Sequence, residues 1–454
     1  MDGGHQSPAS SLAGIDFPAV PSGRGQTMLA LQFQFDRSQW LEPGRILDHQ
    51  FEQLRVLIEH ARAQTPHYRD HLRRAQIFSF AGISPTSFAR WPVLSRGELL
   101  SAGESLLARS LPQAHGELVW NTTTGSTGQP VRVATSALGT LFQEALVLRS
   151  HFWYGLDLSL KFGAIRSGKY ESAGADWGPA TRGTFATGPS ACFGLSEDVS
   201  SQLDWVLREA PAYLLSRGHT LHSLIHESRA RGVRPAGMEA LLSFADRPPE
   251  DLRVLAREAW GVPVFDTYSA GEFGTLALQC PEHDHLHVQS ENVLLEILRE
   301  DGSACTPGEV GRVVVTDLHN FAMPMIRYAI GDYAEMGEPC PCGRGLQVIT
   351  RIAGRASGMA IDANGRRFWP LLDPNIWIDT PVTQRQFVQT TPTHVEVRFV
   401  AARELTATEE ARLGAGLLVT FRSPFEFSFV RVAGIARAPG AKFEEFVSRI
   451  EVRR

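Results

Sequence analysis

Residues 201–316 alternate helical and strand-like stretches, and this alternation restricts the fold more than any other property of the chain. Apolar spacing predicts helices over 201–208, 221–231 and 251–260, and short apolar runs predict strands over 262–265, 293–298 and 311–316. A chain that alternates in this way folds as an α/β protein, with helices laid on a sheet. Upstream, residues 51–75 place Leu54, Leu57, Ile58 and Ala61 on one helical face, and Pro66 interrupts the run. Trp91-Pro92-Val93-Leu94 reads as an extended segment leading through Ser95 into an N-capped helix, and residues 136–152 as another helix. Residues 155–189 mix glycine with aromatics and show no period. The character changes near Gly354. Beyond it the pattern predicts a strand over 394–400, a helix over 406–417, a strand over 425–432 and a last helix over 443–450. That is a small α+β unit of roughly a hundred residues, an ordinary domain size.

Composition excludes several function classes. The 454 residues carry 44 basic and 49 acidic side chains, a balance that argues against a nucleic-acid-binding surface. No apolar run approaches the roughly 18 residues needed to span a membrane. No basic patch followed by an apolar core opens the chain, so no secretory signal is expected. Residues 1–27 are rich in Gly, Ser and Pro and are expected to be disordered, with Met28 as an alternative start. Five cysteines without a signal fit a cytoplasmic protein with reduced thiols, or a metal site, better than a disulfide framework.

Four clusters carry candidate chemistry. Residues 121–130 read Asn-Thr-Thr-Thr-Gly-Ser-Thr-Gly-Gln-Pro, directly after the apolar stretch 118–120. Gly125 and Gly128 let the backbone turn tightly, and the hydroxyls of Thr123, Thr124, Ser126 and Thr127 with freed N–H groups suit a phosphate, ATP first. No lysine follows, so this is not the common P-loop. Asp266-Thr267-Tyr268-Ser269-Ala270-Gly271-Glu272 follows the apolar run 262–265, and residues just past a strand's carboxyl end are where open α/β sheets bind ligands. Its tyrosine can stack on a base and its glutamate can hold a metal–phosphate complex. In the third cluster, an apolar run through Ile326-Arg327-Tyr328 ends on Gly331-Asp332, whose carboxylate can accept two hydrogen bonds from a ribose diol. Read one at a time, these clusters are equally satisfied by polar turns. The fourth is Cys280, Cys340 and Cys342 with His283, His285 and His287. Three thiols and one imidazole would complete a closed, structural zinc site; the bland alternative is free thiols beside surface histidines. Lys442, in Pro439-Gly440-Ala441-Lys442-Phe443, is by itself a solvated surface charge.

Together these motifs resemble the adenylate-forming superfamily of acyl-CoA synthetases, most closely its phenylacetate–CoA ligase-like branch. The resemblance runs from about Gln39 to the C-terminus. It includes Pro66-His67-Tyr68-Arg69, 91–94, 123–130, Tyr268 to Glu272, Ile326 to Asp332, Cys340-Pro341-Cys342-Gly343-Arg344 and Gly354-Arg355. It implies a large ATP- and acyl-binding domain over 28–354, with mixed sheets flanked by helices, and a small mobile domain over 355–454. It also implies a two-step reaction: a small carboxylic acid, aryl or arylacetic by family default, is converted by ATP and Mg to an acyl-adenylate, and the thiol of coenzyme A then displaces AMP. By resemblance residues 123–128 hold the β- and γ-phosphates, with Thr127 in the catalytic set. Glu272 binds magnesium, Tyr268 packs on adenine with Ser269 beside it, Asp332 holds the ribose hydroxyls, Arg355 joins the cofactor-binding set, and Lys442 neutralises charge during adenylation. Cys280, His287, Cys340 and Cys342 map to the family's structural zinc insertion, with His285 as the alternative histidine. The acyl pocket is expected among Phe152, Tyr154 and Phe162 with Phe244 and Ala245, although the same aromatics would serve equally as core. A homodimer is compatible with this reading; a nucleic-acid or membrane partner is not expected.

Three positions depart from the family pattern. Ser357-Gly358 replaces the usual hinge carboxylates, Ala329-Ile330 replaces an Arg-Thr pair, and Ala441 stands where glycine is usual. These changes bear on the second half-reaction more than on the first. They keep open delivery of the acyl group to a carrier-protein thiol or an amine, and a non-catalytic nucleotide- or acyl-binding protein.

Overall fold

The computed structural model describes residues 8–74, 82–122, 131–167, 171–355, 358–368, 370, 374–377, 380–421, 424–435 and 445–450. The helices are α1 (Gly23–Ser38), α2 (Pro43–Gln64), α3 (Pro66–Arg74), α4 (Pro85–Phe88), α5 (Arg96–Ala102), α6 (Ala137–Trp153), α7 (Val199–Glu209), α8 (Gly218–Arg231), α9 (Leu252–Ala259) and α10 (Ala407–Phe421). A hairpin of β1 (Leu118–Thr122) and β2 (Arg132–Ser136) flanks the candidate phosphate loop, whose residues 123–130 lie outside the described set. Twelve strands form one sheet. They are β3 (Phe162–Arg166), β4 (Ser172–Gly174), β5 (Ser190–Gly194), β6 (Tyr213–Ser216), β7 (Ala240–Phe244), β8 (Val264–Ala270), β9 (Gly274–Gln279), β10 (Leu286–Val288), β11 (Val293–Leu298), β12 (Val310–Asp317), β13 (Tyr328–Met336) and β14 (Val348–Arg355).

The spatial order is β11-β12-β13-β14-β10-β9-β8-β7-β6-β3-β5-β4. Strands β5, β3, β6, β7 and β8 run parallel, and the remaining pairs are antiparallel. Side chains alternate across the parallel part. Leu214, Leu241 and Val264 face α7–α9 in a core with Leu203, Val206 and Leu221, while Tyr213, Leu215 and Leu242 pack on the opposite face with Leu156 and Phe162. The sheet ends at Arg355. Downstream, β15 (Ala360–Ile361) pairs with β16 (Arg367–Phe368), and β17 (Val382–Thr391), β18 (His394–Ala401), β19 (Glu426–Arg431) and β20 (Phe446–Ser448) form a separate four-stranded sheet. Its core joins Phe387, Val397 and Phe399 to Leu413, Leu417 and Phe421 of α10. Among the described residues no helix is long and apolar enough to cross a membrane.

Two expectations fail. The helix expected over 443–450 is not formed in its described part, 445–450: Phe446–Ser448 is a strand, parallel to β17 with Phe387 opposite Phe446. Phe443, Phe446, Val447 and Ile450 have helical spacing, but the open edge of β17 supplies hydrogen bonds to Glu445 and Arg449 (2.7 and 2.9 Å), and tertiary pairing outweighs local pattern. The expectation of disorder over 1–27 fails from Pro8 onward. Pro8 bridges to Phe185, Ala9 N–H donates to Thr184 O at 2.8 Å, and Ser22 caps α1. Helix α1 then buries Met28 and Phe35 against Leu146 and Leu158. Gly25 permits this approach, because a Cβ there would lie 2.1 Å from the carbonyl oxygen of Gly183.

Candidate active site and metal cluster

The parallel strands β6, β7 and β8 point their carboxyl ends at one cavity of about 390 Å³, a volume suited to a small ligand. His219 follows β6, Ala245 follows β7 and Ser269 closes β8; all three line the space. The opposite wall comes from beyond Arg355, with Gly358, Pro370, Glu445 and Phe446. The cavity therefore lies on the seam between the two sheets.

Three of the candidate nucleotide-binding residues meet in its wall. Tyr268 on β8 donates its hydroxyl to Asp332 Oδ2 on β13 at 2.9 Å. Arg355 on β14 is the cross-strand partner of Asp332 and reaches its Oδ1 at 3.3 Å. Burial, reinforced by the neighbouring Asp332 charge, pushes the Tyr268 phenol well above its ordinary pKa, so it remains a donor. Glu272 sits between β8 and β9, with Oε1 3.6 Å from Arg96 of α5. Among the described residues that contact leaves the carboxylate's acceptor capacity largely unused, which suits a hard cation.

Nothing in the sequence reading singled out Arg96. It stands at the first position of α5, fixed by a capping box in which Ser95 Oγ accepts from Glu98 N–H and Glu98 accepts from Ser95 N–H. A lone arginine in a capping box has no signature of function. Asp266 was likewise passed over within its own motif. It lines the cavity, and burial pushes its carboxyl up to about 6.

Other candidates are placed elsewhere. Phe152 is 41% exposed and meets Phe185 edge-on; Tyr154 stacks on Phe265 at 4.1 Å; Phe162 packs on Trp177. None of the three lines the cavity: Phe152 belongs to α6, Tyr154 caps it and Phe162 opens β3. Phe244 ends β7 opposite Thr267, and only its successor Ala245, at a left-handed φ of 70°, faces the cavity. Residues 123–128, Ser357, Ala441 and Lys442 lie outside the described residues.

The cysteine cluster is assembled by β10 and the loops that flank it. Cys280 Sγ and Cys340 Sγ are 3.9 Å apart, and Cys342 Sγ is 3.5 Å from His287 Nε2. A tetrahedral ion held at about 2.3 Å by thiolates and about 2.0 Å by imidazole separates two sulfurs by roughly 3.8 Å and a sulfur from a nitrogen by roughly 3.5 Å. The two observed separations match two edges of that tetrahedron. His285 also falls within 4.8 Å of the Cys280, His287 and Cys340 donors. Burial pushes the His287 imidazole down to about 3, which keeps it a neutral ligand, and pushes the Cys340 thiol up to about 12. At Cys342 burial acts upward too, but hydrogen bonds from the Arg344 backbone, Cys340 and the Arg344 side chain bring it below the ordinary thiol value. The donor set fits zinc.

Comparison with models of protein families gives no match. The chain is 32% identical to a phenylacetate–coenzyme A ligase of Thermus thermophilus over 146 residues, 31% of this chain and 33% of that protein. The match thus spans about a third of that relative's length. A phenylacetate–coenzyme A ligase of Pseudomonas putida is 24% identical over 337 residues, covering 69% of this chain and 71% of the relative. In fold, the chain superposes on a 2-hydroxyisobutyryl-CoA ligase in its postadenylation state with a TM-score of 0.75, covering 91% of both chains at 17% identity. In sequence the chain is thus similar to phenylacetate–coenzyme A ligases, and its fold is that of the 2-hydroxyisobutyryl-CoA ligase.

Proposed function

We propose that the chain activates a small carboxylic acid, aryl or arylacetic, with ATP and passes the acyl group to coenzyme A. A carboxylate oxygen attacks the α-phosphorus, pyrophosphate leaves, and the thiol sulfur then displaces AMP from the acyl carbon. What carries this reading is Asp332, held between the Tyr268 hydroxyl and Arg355 in a cavity at the carboxyl ends of parallel strands. A carboxylate fixed in this way keeps acceptor sites for a ribose diol. Tyr268 orients it and offers a ring face to adenine, and Arg355 holds the strand opposite. Residues 123–128 would grip the β- and γ-phosphates, with Thr127 and Ser269 as further hydroxyl partners. Glu272, aimed by Arg96, would hold magnesium, whose charge offsets that of the phosphates. Lys442 would reach the reacting phosphate from the segment that leads to Glu445. Cys280, His287, Cys340 and Cys342 would hold a structural zinc that ties the β9–β10 turn to the loop before β14. The two units meeting at the cavity, 28–354 and 355–454, would move relative to each other between the half-reactions. Soluble, cytoplasmic operation accords with reduced thiols.

The direct test is pyrophosphate release with ATP and magnesium across a panel of carboxylic acids, with and without coenzyme A. Release with one class of acid, followed by thioester formation only with coenzyme A, is expected. Adenylation without a thioester would redirect the acyl group to a carrier thiol or an amine, and no release with any acid would defeat the reading. Asp332→Asn is expected to raise the KM for ATP on the order of tenfold, because hydrogen bonds to a charged acceptor contribute about 1.5–3 kcal/mol. An unchanged KM would remove Asp332 from the ribose site. Cys340→Ser is expected to lose one equivalent of zinc and to unfold at a lower temperature, as measured by elemental analysis and calorimetry. A wild-type protein free of metal would defeat the zinc assignment.

A further inference from the structure

A second group of donors lies outside the cavity and the cysteine cluster. His222 and His226 stand one turn apart on α8, in His222-Ser223-Leu224-Ile225-His226, so both rings leave the same helix face. Asp251, the residue before α9, faces them. An aspartate at that position ordinarily caps its own helix, yet the Asp251 side chain makes no capping hydrogen bond. It turns to His222 instead, whose Nε2 lies 3.1 and 3.2 Å from its two oxygens. The His222 and His226 ring centroids are 4.5 Å apart, and one donor atom from each of the three residues falls within 4.8 Å of the others. Among the described residues, His226 contacts the His222 ring and makes no hydrogen bond.

We propose that His222, His226 and Asp251 bind a divalent first-row transition ion of the zinc class. Two imidazoles and a carboxylate form a donor set that such ions favour over the hard, all-oxygen preference of magnesium. Donors held at about 2.0–2.1 Å from a tetrahedral ion are separated by roughly 3.4 Å. The His222–Asp251 separation already approaches that value, and His226 needs only a side-chain adjustment. Two guanidiniums oppose the added charge, Arg229 on α8 and Arg385 on β17, but Arg385 is itself paired with Glu445 at 3.0 Å. The three ligands leave a fourth position for water. The ion joins α8 to the start of α9, and the chain between them contains β7 and the cavity-lining Ala245 and Asp246. Occupancy therefore pins the segment that forms one side of the cavity. The site stands on this geometry alone and does not depend on the adenylation reading.

The full-length protein, freed of metal by chelation, is titrated with Zn²⁺ by calorimetry, and the retained ion is counted by elemental analysis. The wild type is expected to hold one equivalent that Cys340→Ser keeps and that the double variant His222→Ala/His226→Ala loses. His226→Gln, a gentler change, is expected to weaken that equivalent at least tenfold, and it carries the test if the double variant does not fold. With Co²⁺ the same equivalent should give visible d–d bands without thiolate charge transfer. Equal stoichiometry and affinity in the wild type and the histidine variants would overturn the proposal. So would binding only at millimolar Zn²⁺, the mark of an adventitious ion.

Discussion

Arg327→Ala is expected to lower stability by roughly 3–5 kcal/mol, the cost of leaving a buried charge without its partner. The Arg327 side chain is 2% exposed. Its Nε and Nη2 reach Glu296 at 2.9 and 2.8 Å, and Nη1 donates to the carbonyls of Ala89, at 2.8 Å, and Trp91. Burial pushes the Glu296 carboxyl above its ordinary pKa despite these bonds, so the carboxylate depends on the guanidinium to stay charged. Alanine would inherit the left-handed φ of 52°, so the measured loss belongs to the side chain and not to the backbone. The effect should extend to the site. Arg327 and its neighbours hold the 91–94 segment through Leu94 N–H to Arg327 O and Ala329 N–H to Leu94 O, both 2.9 Å, and that segment leads into α5 and Arg96. Urea unfolding followed by tryptophan fluorescence should show a lower midpoint. A midpoint equal to the wild type would mean that water or rearranged donors replace the guanidinium. Arg327→Lys should recover little, because an ammonium cannot fork across both carboxylate oxygens and two carbonyls.

The largest kinetic loss is expected from Lys442→Ala. Acid-dependent pyrophosphate release should fall on the order of 10²-fold with little change in ATP affinity, because a charge that acts on the transition state lowers turnover without loosening the ground state. The placement rests on the resemblance and on Glu445 and Phe446, which follow Lys442 by three and four residues and line the cavity. Thioester formation from preformed acyl-adenylate should survive the substitution, which separates a role in the first step from a general defect. Unchanged pyrophosphate release would remove Lys442 from the reaction.

Tyr268 and Asp332 were legible as candidates because each follows an apolar run, and Arg355 through the resemblance; that the three touch follows from strand pairing, which no local pattern carries. Arg96 was not legible: its position comes from the pairing of Leu94 beside Tyr328, a contact between segments more than two hundred residues apart. The surroundings of the aromatics near Phe152 were not legible for a different reason. Aromatic content marks apolar surroundings, whereas the stacking of Tyr154, at the end of α6, on Phe265 of β8 joins segments far apart in the chain, which composition does not carry. Strand β20 was misread because its three residues gain their stability from β17 and not from their own sequence. The order in residues 8–27 likewise depends on Phe185 and Gly183, far along the chain.

Strand β14 joins several of these parts. It receives β10 and His287 at Val348, faces Asp332 at Arg355, and passes directly from there into the chain of the second unit. Mechanically it is a lever with its fulcrum at the cysteine cluster and its free end at Arg355. A torque applied by the downstream unit would reach first the arginine that touches Asp332, before the part of the strand beside His287. If that unit turns as proposed, its rotation and the hold on the Asp332 carboxylate would be geared together through this one strand.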